Sequence, residues 1–321
     1  MAANLHLEKV RTLTHGNAVY SVAFSTDGKQ IATASLDNTV RLWNSQSGEQ
    51  TGTLRGHGDG VAFVGYLADG RIVTASLDRT LKCWPADGGA ASATFSGHQD
   101  YLNVAEAAPP SAGAASATFS GHQDYLSCAA VARTGTLLAS GGFDKTVRLW
   151  DAQTNLAVAA LTGHDANVQC VAIHGTGKLV ASGGDDLSVR LWNVETKSLI
   201  KSLSGHSRTV EGLVFSPDDK HFASASGDGT VRIWTIAGDL VTTLESNSGR
   251  IKSVAYSPQG KLLATGGGDG LVRVWNPATG TQLTNITAHK NTIYGVAFSP
   301  DGKRLASAGF DRTIHVWSVV E

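Results

Sequence analysis

Apolar positions along this chain fall in short runs that recur in a fixed order. A stretch such as YSVAFS or EGLVFS is followed by a turn such as STDG (25–28) or SPDG (299–302). An LAS-like run, a tight turn at Asp and a VRLW-like run come next. Runs rich in Val, Ile, Leu and aromatic side chains, separated by Gly, Asp and Pro turns, are strands joined by hairpins. The tryptophans set the period: Trp43, Trp84, Trp150, Trp192, Trp234, Trp275 and Trp317 are spaced by 41, 66, 42, 42, 41 and 42 residues. The irregular gap has a cause in the sequence itself. GAASATFSGHQDYL occupies 89–102 and again 113–126, an offset of 24 that accounts for the excess. About four strands fit each period, the content of one propeller blade.

These seven in-phase units resemble WD40 repeats over residues 7–321. The dipeptide is literal only at Trp150-Asp151; the other tryptophans precede Asn44, Pro85, Asn193, Thr235, Asn276 and Ser318. The resemblance implies an all-β fold: a single domain over 1–321, a seven-bladed β-propeller of four-stranded antiparallel blades, with the duplicated insertion at about 85–126 in blade two or three. Residues 5–13, LHLEKVRTL, look like the outermost strand that precedes the GH position elsewhere, as in SLIKSLSGH (198–206). The N-terminal strand is therefore expected to join the last blade and close the ring, which removes free sheet edges. Either copy of the duplicated segment could supply the outer strand of blade two. The second is preferred, because it keeps the hairpin into SCAAVA (127–132) continuous, and roughly 85–112 then loops out.

Composition narrows the partners. Apolar residues make up 41%, enough for a sizeable core, and 37 Gly against 7 Pro suit many tight turns. Lys and Arg total 26 against 27 Asp and Glu, so no global field favours nucleic acid or an anionic membrane. The opening MAANLHLEKV lacks the apolar core of a signal peptide, and no apolar run is long enough to span a bilayer. A cytoplasmic location is expected, with the nucleus also open. Cys83, Cys128 and Cys170 lack metal spacing and fall in expected strands, so they read as buried free thiols.

Candidate chemistry is present in every unit, and that repetition is informative. A turn aspartate recurs at Asp37, Asp78, Asp144, Asp186, Asp228, Asp269 and Asp311. Four residues earlier stand Thr33, Thr74, Ser140, Ser182, Ser224, Thr265 and Ser307. His15, His57, His122, His164, His206 and His289 precede the tryptophans by 27 or 28 residues, and unit six has Asn247 instead. A hydrolase needs one activated nucleophile in a cleft, whereas this set recurs throughout. The resemblance implies a structural chain in which Asp bonds His, His bonds the hydroxyl, and the hydroxyl takes the indole N–H. Blade six, lacking its imidazole, is then the weakest. No P-loop, CxxC pair, HExxH or dinucleotide fingerprint occurs, and GGGDG (266–270) is a blade turn. His6, His174, His221 and His315 are scattered, so no catalytic residue, cofactor or metal site is expected.

The resemblance also places partners on one face of the ring, at three positions per blade: three and five residues after the His, and just before the turn Asp. Carried over, these give an apolar arc. Blade seven contributes Thr292, Tyr294 and Phe310, blade one Ala18, Tyr20 and Leu36, blade two Gly60, Ala62 and Leu77, and blade three Tyr125, Ser127 and Phe143. The remaining arc is polar, with Asn167, Gln169 and Asp185 from blade four, Thr209, Glu211 and Gly227 from blade five, and Arg250, Lys252 and Gly268 from blade six. An apolar arc rimmed by charge suits a linear peptide or a protein edge. The expected function is a non-catalytic interaction scaffold, a subunit of a larger complex. A reader of a cationic, histone-like tail is the alternative. A ubiquitin-ligase substrate receptor is disfavoured, because Gln46, Asp87, Gln153, Glu195, Ala237, Ala278 and Val320 occupy the positions three after each Trp where that role shows Arg or Lys.

Overall fold

The hairpin between the two middle strands of each unit is held by its aspartate. The residue after that aspartate (Asn38, Arg79, Lys145, Leu187, Gly229, Gly270 or Arg312) has a left-handed φ between 63° and 84°. Five of these are not glycine, so the turn needs another constraint. The Asp carboxylate supplies it by accepting the main-chain N–H two residues on, at 2.9–3.2 Å in all seven turns.

The computed structural model describes residues 5–89, 93–95, 122–246 and 249–320, and the regular elements among them are β-strands. They form seven four-stranded antiparallel sheets. In blade one the order runs outward as Val19–Phe24, Gln30–Ser35, Thr39–Asn44 and Gln50–Arg55. The last blade takes Ile293–Phe298, Arg304–Gly309 and Thr313–Val320 from the end of the chain, and His6–Thr14 from its start. The pairing runs from Thr14 opposite Thr313 to His6 opposite Val320, so the ring closes as expected.

The core lies between the blades. Seven apolar clusters fill seven interfaces; that between blades seven and one gathers Leu13, Val19, Ile31 and Trp43 against Ala306, Ala308, Ile314 and Val316. Packing is close enough to require small residues on one side. A Cβ on Gly183 would stand 2.6 Å from Val210 Cγ1 of the next inner strand. Cys83 and Cys170 are buried in strands, Cys128 is partly so, and all three are free thiols. Burial pushes the Cys128 thiol up to about 12. No helix among the described residues is long and apolar enough to cross a membrane.

The duplicated segment is used differently from the sequence expectation. The outer strand of blade two is Ala93–Phe95, from the first copy, with Leu81 opposite Phe95 and Cys83 opposite Ala93. Eight residues separate it from Leu81–Trp84, so the nearer copy closes the shorter loop. Hairpin continuity, the ground for preferring the second copy, did not decide the pairing. The second copy still supplies His122 to blade three. Its outer-strand segment, and the expected loop beyond residue 95, lie outside the described residues.

Candidate functional site

The buried chain forms in six blades with nearly constant geometry. In blade four, His164 Nδ1 meets Asp186 at 2.7 Å, its Nε2 meets Ser182 Oγ at 2.7 Å, and Trp192 Nε1 donates to Ser182 at 2.8 Å. A carboxylate can only accept, so Nδ1 carries the proton and Nε2 accepts from the hydroxyl. Corresponding bonds link Asp37, His15, Thr33 and Trp43 in blade one, and Asp228, His206, Ser224 and Trp234 in blade five. The hydroxyl oxygens are sealed: Thr33, Thr74, Ser140, Ser182, Ser224 and Ser307 are each 0% exposed. A substrate carbonyl cannot reach a nucleophile placed there.

Burial pushes His15, His122, His164, His206 and His289 below the ordinary histidine range, against the raising pull of their aspartates. Burial alone would raise the aspartates. Hydrogen bonds from the imidazole, a Thr hydroxyl and main-chain N–H groups outweigh it and hold Asp144, Asp228 and Asp311 at about 2.

Blade six departs from this pattern, and blade seven adds a residue to it. In blade six Trp275 still donates to Thr265 at 3.0 Å, while Asp269 is engaged by Arg273 at 2.6 Å. Asn247, the residue expected to weaken that blade, lies outside the described residues. In blade seven, His315 packs its ring 4.6 Å from that of His289 and shares a cluster with Asp311. The sequence reading set His315 among scattered histidines; the fold brings it against two others of the chain. Burial, then the His289 and Lys9 charges, depress it to about 4 despite Asp311.

Above these interiors, at the mouth of the central channel, the three expected positions of each blade are joined. The residue before the turn Asp donates its main-chain N–H to the carbonyl three after the His, at 2.8–3.0 Å in every blade. Leu36 thus bonds Ala18, Phe143 bonds Tyr125, and Phe310 bonds Thr292. The position five after the His carries a feature that sequence reasoning missed. Each inner strand has a β-bulge there: Tyr20, Ala62, Ser127, Gln169, Glu211, Lys252 and Tyr294 are skipped by the pairing register. A bulge re-aims its side chain out of the sheet's alternation. All seven line the channel, a cavity of about 620 Å³.

The apolar arc is built from two aromatic groups. Tyr20 and Tyr294 stack at 4.3 Å, and Phe310 lies 6.4 Å from Tyr294. Tyr125 and Phe143 meet edge-to-face at 6.1 Å. Between the blades of these groups Leu36 lies over Gly60, where a Cβ would stand 2.4 Å from its Cδ2 and 3.5 Å from Leu77. Phe310 and Tyr125 are 47% and 43% exposed, whereas Tyr20 and Tyr294 are half-buried over the channel. Arg79, which the sequence reading did not single out, lies over the Tyr125 ring at 5.9 Å. It follows Asp78 in the turn, with a left-handed φ of 69°.

The polar arc is internally paired. Asp185 accepts from Gln169 at 3.1 Å and Thr209 at 3.0 Å. Glu211, its side chain 6% exposed, pairs with Arg250 and with Lys252 at 2.6 Å. Lys252 also lies 5.9 Å over Tyr294, which links the arcs.

A family model described as WD domain, G-beta repeat matches seven segments: 7–44, 48–85, 113–151, 156–193, 197–235, 238–276 and 280–318. Its third match begins in the second copy of the duplicated segment, whereas the structure seats the first copy in blade two. The Notchless protein homolog of Arabidopsis thaliana is 49% identical over 49 residues, 15% of this chain and 10% of that protein. Ribosome assembly protein 4 of Chaetomium thermophilum is 40% identical over 58 residues, 18% of this chain and 11% of that protein. The chain thus spans about a tenth of the length of these relatives.

Proposed function

The chain belongs to the WD40 family of G-beta repeats, and on that premise we propose that it is a non-catalytic scaffold in a multiprotein assembly, gripping a linear peptide or protein edge on the aromatic side of its channel mouth. The observation that carries this reading is the exposure of Phe310 and Tyr125, in blades seven and three, with Leu36 and Leu77 meeting over Gly60 in the blades between. Rigid aromatic side chains held by backbone bonds lose little freedom on binding, which suits them as anchors. The sealed hydroxyls argue against hydrolysis. The relatives' names, one of them a ribosome assembly protein, lend support to work within a complex and identify no partner. The cytoplasm or nucleus is the proposed setting.

A cationic-tail reader has less support. Glu211 already holds Arg250 and Lys252, and Arg79 already covers Tyr125, so an incoming Lys or Arg must displace resident cations. The test is affinity purification with mass spectrometry from the native cell, comparing the wild type with the double variant Phe143→Ser, Phe310→Ser. Loss of one shared set of partners supports the reading; an unchanged set removes this face from consideration.

A further inference from the structure

Blade seven breaks a rule that the other six keep. Two residues before the tryptophan they carry Arg41, Lys82, Arg148, Arg190, Arg232 or Arg273, and blade seven carries His315. Several of these cations reach the turn aspartate four residues earlier: Arg41 at 3.8 Å, Arg190 at 3.5 Å and Arg273 at 2.6 Å. In blade seven that fixed positive charge is replaced by an imidazole with a lone pair. The ligand atoms of His289, Asp311 and His315 lie within 4.8 Å of one another, the histidines buried and the aspartate partly so. The Thr313 hydroxyl sits among them, 3.1 Å from His289 Nδ1 and 3.4 Å from His315 Nε2. Its proton is directed to Asp311 at 2.7 Å. On the far side of the His315 ring, Thr12 of the N-terminal strand meets Nδ1 at 2.9 Å and leaves Nε2 facing the cluster.

We propose that this cluster binds a divalent cation of the zinc class through His289 Nδ1, the Asp311 carboxylate and His315 Nε2, with Thr313 or water in the fourth position. Two imidazoles and one carboxylate are the donors such borderline cations take. Bonds of 2.0–2.2 Å set tetrahedral ligands about 3.4 Å apart, so His289 Nδ1 and Asp311, now 2.9 Å apart, open by about half an ångström and the widest pair, within 4.8 Å, closes by at most about 1.4 Å, within reach of side-chain rotation. The bond to His289 Nδ1 forms as its proton leaves to solvent, and Nε2 remains on Ser307 at 2.8 Å. Thr12 orients the His315 ring, as partners of ligating imidazoles do. Since Thr12 comes from the start of the chain and the ligands from its last blade, a bound cation braces the seam that closes the ring.

Blades one to five are internal controls, because they keep the His and Asp but fill the third place with a cation. Titrate tag-free full-length protein with Co²⁺ and follow its visible absorption; in parallel, record melting with and without excess Zn²⁺. The wild type is expected to take up one equivalent with the spectrum of a low-coordinate site and to melt higher with Zn²⁺. His315→Arg, which installs the residue of the sister blades, and His315→Gln should each bind at least tenfold more weakly and lose the Zn²⁺-dependent rise, with unchanged circular dichroism. No Co²⁺ spectrum in the wild type, or equal binding by either folded variant, overturns the proposal.

Discussion

Below the channel mouth, six blades carry the same His, hydroxyl, Trp and Asp in the same geometry; at the mouth, no two blades present the same three side chains. Both layers are attached to the same turns. The difference lies in what each must satisfy. A buried imidazole and indole N–H and a partly buried carboxylate need one another, and the same solution serves six blades. The mouth positions are fixed only in their backbone, by one hydrogen bond and one bulge, so their side chains are free to differ. Repetition within the chain marks what holds the ring, and variation marks what the ring can recognise.

The largest effect should come from breaking the repeated layer. Ser182→Ala strands both His164 Nε2 and the Trp192 indole N–H in a sealed site. A loss of about 2–4 kcal/mol is expected in urea unfolding. Acid attacks the same layer in blades one, three, four and five. His15, His122, His164 and His206 are held below 6.5 in the folded state, so the unfolded chain takes up protons first, and stability falls as pH drops below 6.5. Asp144 and Asp228, held at about 2 against 3.8, add a second loss between about pH 4 and 2. Melting temperatures at pH 7.5, 5.5 and 3.5 should decline in that order; a flat profile contradicts the assignment of buried neutral imidazoles.

The variable layer should respond in the opposite sense. Phe143→Ser with Phe310→Ser is expected to weaken partner binding at least tenfold, about 1.4 kcal/mol, while unfolding shifts by no more than about 0.5 kcal/mol per site. If stability falls as far as for Ser182→Ala, the two layers are not separable. Glu211→Gln probes the polar arc. Both its cations keep access to water, so the expected cost is about 1 kcal/mol or less, read by urea unfolding at low and high salt. Deleting residues 97–120 removes one copy and restores the 42-residue period; it should stabilise by no more than about 1.4 kcal/mol, because each halving of the stretch between Phe95 and Leu126 is worth about 0.6 kcal/mol.

Much of this was legible in the chain. Tryptophan spacing and the Asp turns record local requirements that every blade repeats, so the seven sheets and their closure followed from period and phase. The mouth triplets came from the family resemblance, and the backbone joins two of each three in every blade. Features arising from contacts between repeats were not. The bulge leaves no residue preference, since Tyr20, Ala62 and Glu211 all occupy it. Arg79 over Tyr125 and Leu36 over Gly60 join neighbouring blades, and no spacing within one unit encodes them. The His315 cluster did leave a signal, the missing cation two before Trp317, visible once the units are laid side by side.

The seam has a consequence in time. Roughly 300 residues separate Thr14 from its partner Thr313. At a synthesis rate of about 5–20 residues per second, the His6–Thr14 strand waits on the order of 15–60 s for its partner to be made. Throughout that interval Leu7 and Leu13, buried in the finished ring, have no blade to enter. Six blades can be complete while the molecule still carries an open edge, so wrong pairing is most accessible until Thr313–Val320 has been made and seated.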